Sequence, residues 1–143
     1  MTEADAVLAA NLEFYRAFTE RDAEAMEQLW ARGLPVLCTH PGWETLRHRD
    51  AVIQSWRNIL ANPDSPTVSC QDEEVFFYGD GSVAIVICEE ELPGNLLTAT
   101  NVFAREDGAW RLVHHHSGPV FQRSAERRRH APPSPLPPSG RLH

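Results

Sequence analysis

The stretch TVSCQDEEVFFYGDGSVAIVICEEELPGNLLTATNVFAREDGAWRLVHHHSGPV, residues 67–120, decides the fold. It divides into four runs rich in β-branched and aromatic residues, at 67–78, 82–92, 96–105 and 109–120. Gly79-Asp80-Gly81 joins the first two and Glu106-Asp107-Gly108 the last two. Gly and Asp tolerate the positive φ that tight hairpin turns require, so each junction reads as a turn between antiparallel strands. Four long strands are therefore predicted for the second half of the chain.

The first half has a different period. Val7, Leu8, Leu12, Phe14, Tyr15 and Phe18 recur at helical spacing, and Thr2 is placed to cap a helix over 2–21 with Glu3 and Asp5 in its first turn. Asp22 reads as the cap of a short second helix carrying Ala23, Met26, Leu29 and Trp30, which Gly33 and Pro35 end. Residues 36–39 suit a short strand, and His40-Pro41-Gly42-Trp43 a turn. Asp50 is placed to cap a third helix over 51–60, with Val52, Ile53, Trp56, Ile59 and Leu60 on its buried face. Helices followed by strands predict an α+β fold with the helices packed on one face of the sheet.

The chain has 143 residues, 20 acids and 13 basic side chains, and every basic one is Arg. Five of those Arg and one acid fall at or after Arg123, where Pro also concentrates. The first 122 residues thus carry eight Arg against 19 acids, −11, and the remainder +4. The expected organisation is one acidic domain over 1–122 and a disordered, basic, Pro-rich tail over 123–143. A body at −11 repels nucleic-acid phosphates, so no nucleic acid is expected as partner. No apolar run approaches the roughly 20 residues of a membrane span, and the acidic start lacks a signal peptide's features; a cytoplasmic protein is expected. Cys38, Cys70 and Cys88 show no C-x-x-C spacing and read as buried free thiols.

Among residues able to carry chemistry, His114, His115 and His116 stand out. Strand alternation puts His114 and His116 on one face with Trp110 and Leu112, and His115 on the other with Arg111 and Val113. A tight turn at 106–108 brings Thr98, Thr100 and Val102 beside the first set, and Asn101 and Phe103 beside the second. A bulge exchanges these faces. Two imidazoles on one face can act as acid and base, hydrogen-bond within a half-buried core, or bind a metal with a third ligand such as His40. No H-x-x-x-H or H-E-x-x-H spacing supports the metal, and no motif calls for a cofactor. Trp56 reads as core, and Tyr15 as core with its hydroxyl reaching a polar partner. The acidic runs Asp72-Glu73-Glu74 and Glu89-Glu90-Glu91 lie at similar distances from the 79–81 turn, so they are expected nearly opposite each other on a solvated surface.

The segments Asn11–Phe18, Arg21-Asp22, Met26–Trp30, Cys38–Gly42, Val52–Trp56 and Asp107–Ser117, in that order, resemble the SnoaL-like branch of the nuclear transport factor 2-like superfamily over residues 5 to 121. The resemblance implies a cone in which a strongly curved antiparallel sheet wraps N-terminal helices around a pocket, and homodimers that pair through the outer sheet face. It implies an apolar or carbonyl-bearing small-molecule ligand, with isomerase, dehydratase or cyclase chemistry in some members and none in others. The ketosteroid isomerases use a helix Tyr, an Asp base and a protonated Asp. Phe14, His40 and Asn101 take those positions here, so that triad is not kept. The expected site is His40, His114 and His116 as proton-transfer groups, with Tyr15, Trp43, Trp56, Asn101 and Trp110 lining the pocket. The alternatives are a non-catalytic binding or dimerisation domain, accessory to another protein, and the His-based metal site.

Overall fold

Two short turns organise the sheet. Asp107 and Gly108 both take positive φ, 53° and 79°, and the pair Glu106↔Ala109 closes directly around them as a type I′ hairpin. Pro93-Gly94 turns between Leu92 and Asn95, with Gly94 at φ 79° as the second turn residue requires. The four long strands thus form one continuous meander.

The computed structural model describes residues 1–122. The basic, Pro-rich tail expected over 123–143 lies outside the described residues. Three helices, α1 (Glu3–Thr19), α2 (Ala23–Leu29) and α3 (Arg49–Ala61), precede the strands β2 (Ser69–Tyr78), β3 (Val83–Leu92), β4 (Asn95–Glu106) and β5 (Ala109–Pro119). A short strand β1 (Leu37–Thr39) lies between α2 and α3. The sheet order is β1-β5-β4-β3-β2, antiparallel except that β1 runs parallel to β5. The fold is α+β, a curved open sheet with the helices on its inner face. Among the described residues no helix is long and apolar enough to cross a membrane.

The helix ends follow local chemistry. Thr2 and Asp5 form a reciprocal capping box on α1. Asp22 caps α2 by accepting from the Ala25 amide at 3.1 Å and also meets Arg16 at 3.1 Å. Asp22→Ala is expected to cost about 1 kcal/mol in a urea titration, the usual value of a lost N-cap. Asp50 is not the cap of α3. His48 takes that position without a side-chain cap, and Asp50 sits in the first turn, where its charge still suits the helix dipole.

The core fills the space between α1, α3 and the sheet. Phe14, Met26, Trp30, Val52, Trp56, Val86, Phe103 and Leu112 are all buried. Phe14 packs edge-on against Tyr15 and Trp56, with ring centroids 4.8 and 5.4 Å away, a geometry favoured by aromatic quadrupoles.

Two bulges shape the sheet. In β2, Asp72 and Glu73 together face Cys88, and Asp72 takes φ 58°. The acidic runs are consequently offset: Glu89 pairs with Gln71, Glu90 with Cys70, and Glu74 with Ile87. In β5, Val113 is the extra residue, because Leu112 pairs with Phe103 while His114 pairs with the adjacent Val102.

Candidate functional site: a buried polar cluster under the first helix

Strand parity explains how polar side chains enter this interior. In β3, Ala84, Val86, Cys88 and Glu90 all point inward. In β4, Leu97, Ala99, Asn101 and Phe103 do the same. In β5, Trp110 and Leu112 point inward before the bulge, and His115 and Ser117 after it. Helix α1 lies over this surface and contributes Asn11 and Tyr15, one turn apart.

These residues connect. The Tyr15 hydroxyl donates to Glu90 Oε2 at 2.6 Å and lies 3.3 Å from Cys88 Sγ. Asn101 Nδ2 donates to the Tyr15 hydroxyl at 3.1 Å and to Asn11 Oδ1 at 2.8 Å. His115 Nδ1 lies 2.6 Å from Asn101 Oδ1. An amide oxygen only accepts, so Nδ1 carries the hydrogen. The His115 Nε2 lone pair then faces Glu90 Oε2 across 4.0 Å. Ser117 on β5 also acts on Glu90, in the direction that favours the carboxylate.

Glu90 is 2 % exposed and His115 1 %. Burial disfavours both charged forms, so it raises the Glu90 carboxyl above its usual range and holds the His115 imidazole down at about 3. Burial, and then the neighbouring Glu90, push the Tyr15 phenol well above 10. The gap of 4.0 Å is too long for a hydrogen bond, so a Glu90⁻–His115⁺ pair would gain too little to offset its desolvation. The cluster therefore holds a carboxyl raised above its usual range, a neutral phenol and a neutral imidazole with a free lone pair. That set can donate hydrogen bonds to a developing oxyanion and accept a proton.

His40 stands on the far side of Trp56. It follows β1 and meets Ser55 on α3, Nε2 to Oγ, at 2.9 Å. Ser55 donates its own hydrogen to the Val52 carbonyl at 2.7 Å, so His40 Nε2 is the donor in the first contact. Burial holds His40 at about 4. Its ring packs edge-on against Trp43 and Trp56 at 4.7 and 4.8 Å, and Trp56 in turn lies 5.8 Å from His115. Trp43 is 48 % exposed, so a row of rings runs from the buried imidazole to the surface.

The structure brings Tyr15, Asn101, Trp56, His40 and Trp43 into this neighbourhood. It does not bring His114 and His116 there. The bulge at Val113 turns both onto the outer face, with ring centroids 6.2 Å apart, and gives the inward position to His115. The metal set of His114, His116 and His40 is accordingly split between the two faces. Among the described residues no three His, Cys, Asp or Glu side chains are grouped to hold a metal ion. Trp110 is buried but lies away from the cluster, donating from Nε1 to Glu3 at 3.2 Å and lying under Arg105. Glu90 corrects the reading of the acidic runs as a solvated surface. Its signal was the β3 alternation, which continues from Ala84, Val86 and Cys88 straight to position 90.

The SnoaL-like domain family matches residues 7–122, and the chain belongs to it. A crystal structure of a candidate dehydratase of the nuclear transport factor 2-like family from Streptomyces avermitilis is 34% identical, with a TM-score of 0.76 over 84% of this chain and 97% of that one. A candidate calcium/calmodulin-dependent protein kinase type II association domain from Thiobacillus denitrificans is 30% identical, with a TM-score of 0.68 over 78% and 93% of the two chains. The F-box protein SKIP8 of Arabidopsis thaliana is 28% identical over 112 residues, 78% of this chain. The chain matches about half of that protein's length, 48%.

Proposed function

We propose that the protein binds an apolar, carbonyl-bearing small molecule inside the curved sheet and assists proton transfer on it. The buried chain Tyr15–Glu90–His115–Asn101 carries the reading, because a packed core gains nothing from an acid, a phenol and an imidazole buried side by side with shifted acidities. Glu90 is the acid facing the ligand oxygen, the Tyr15 hydroxyl holds that carboxyl in place by donating to it, and His115 Nε2 is the base. The likeness to a candidate dehydratase supports this chemistry.

Deuterium exchange alpha to the carbonyl, followed by proton NMR on a panel of cyclic ketones and enones, tests the proposal. The expected result is acceleration over buffer by the wild type and a loss of about 10²-fold or more in Glu90→Gln and His115→Gln, the usual contribution of a positioned acid or base. Equal exchange in the wild type and both variants would sink it.

A second reading, a non-catalytic homodimerising module, is favoured by a different surface. Phe76, Ile85, Val102 and His114 are in register across four strands on the outer face, and Phe76 is 44 % exposed. The likeness to an association domain points the same way. A monomeric mass by light scattering at micromolar concentration would count against it.

A further inference from the structure

The thiols Cys70 and Cys88 are not needed for that proton-transfer reading, yet they sit together. Cys70 on β2 pairs with Glu90, and Cys88 lies two residues from Glu90 on β3, so the two thiols are diagonal neighbours on the inner face. Each thiol shifts the other's acidity, which places the two within reach of each other. Helix α1 touches both, Asn11 Nδ2 at 3.7 Å from Cys70 Sγ and the Tyr15 hydroxyl at 3.3 Å from Cys88 Sγ. Cys88 is buried and Cys70 only partly so, which leaves a small reagent an approach from the Cys70 side. The third thiol, Cys38, is on β1 at the other edge of the sheet, and burial pushes it up to about 12.

We propose that Cys70 and Cys88 are an oxidisable dithiol that closes a disulfide between β2 and β3 when the protein meets a peroxide. One sulfur, as thiolate, attacks the O–O bond, forms a sulfenic acid and releases hydroxide. The second sulfur attacks that sulfenic sulfur and expels water. Two thiols and one hydrogen peroxide thus give one disulfide and two waters. In a regular ladder diagonal Cα atoms lie about 7–8 Å apart, slightly beyond the usual disulfide span. The bulge at Asp72-Glu73 lies directly beside the pair and gives β2 the local freedom to close that gap. The pairing favours ionisation of one of the two thiols over an isolated buried one, which supplies the thiolate for the first step.

The test treats the native full chain with a modest excess of hydrogen peroxide, then denatures, alkylates and measures peptide masses. The expected result is one alkylated thiol, Cys38, and a linked Cys70–Cys88 peptide that dithiothreitol abolishes. Cys70→Ser and Cys88→Ser should each retain two alkylatable thiols after the same treatment. Three alkylated thiols in the treated wild type, a link through Cys38, an intermolecular link, or Cys70 carried to sulfinic acid without linkage would each overturn the proposal.

Discussion

A Glu90→Gln variant is expected to lose about 4 kcal/mol of stability between pH 7 and pH 5, because His40 and His115 are folded in neutral and must charge on unfolding. Burial holds the two at about 4 and about 3 in the folded state. In the unfolded chain both titrate near 6.5, so acidification protonates the unfolded state first and favours it. Each residue contributes its stability fully above about pH 6.5 and gives up about 2 kcal/mol by pH 5, about 4 kcal/mol for the pair. The loss continues until the folded-state values are reached. Against a total of about 5–15 kcal/mol for an ordinary domain, this is a large share.

Glu90 acts with the opposite sign. Its raised value means that, from about pH 4.5 up to its folded-state value, the unfolded carboxyl ionises before the folded one, so Glu90 costs stability as pH rises through that interval. In the wild type, acidification relieves part of that cost and masks part of the histidine loss. Two results follow for urea titrations at pH 7, 6 and 5. Glu90→Gln, which keeps an acceptor for Tyr15, should be more stable than wild type at pH 7. It should also fall more steeply on acidification. If Glu90 and His115 formed an ion pair, Glu90→Gln would instead be the less stable protein at pH 7.

The legible and illegible parts of this site separate along one physical line. Alternation and turn chemistry are local, so the hairpins at Asp107-Gly108 and Gly79–Gly81, the α1 stripe with Tyr15, and the burial of Trp56 could all be read from neighbours in sequence. Even Glu90 was available by counting from Ala84. Its charge and the two Glu beside it point to the surface, so composition and alternation conflict at this position. The bulge at Val113 is different in kind. It depends on how β5 meets β4 after Leu112 has been placed against Phe103, and neither Val113 nor its neighbours carry a Gly or Asp signal. One extra residue moved His115 inward and His114 and His116 outward. The chemistry of the three-His run was therefore visible in sequence, while the choice of which imidazole enters the interior was a long-range decision.

Trp56→Ala is expected to cost about 3–5 kcal/mol, the range for removing a buried large aromatic side chain. Trp56 is 1 % exposed, and its ring meets Phe14, Phe18, His40 and His115 at centroid distances of 5.4, 5.0, 4.8 and 5.8 Å. Among the described residues no other side chain is in ring contact with both neutral imidazoles. Its indole N–H meets no oxygen or nitrogen acceptor among the described residues and reaches at most the Cys38 sulfur, a weak acceptor, so Trp56→Phe removes a poorly satisfied donor together with part of the ring and should cost clearly less than the alanine change. The alanine variant has a second signature that ordinary core loss lacks. The emptied volume is flanked by His40, His115 and Ser55, polar enough to admit water, and water there lifts the desolvation that keeps both histidines neutral. Their folded-state values should move back toward 6.5, and the stability difference between pH 7 and pH 5 should shrink even as the total falls. Urea titrations of Trp56→Ala at both pH values read the two effects together. A cost below about 1 kcal/mol, or a pH dependence as steep as that of the wild type, would show that Trp56 does not keep the imidazoles dry.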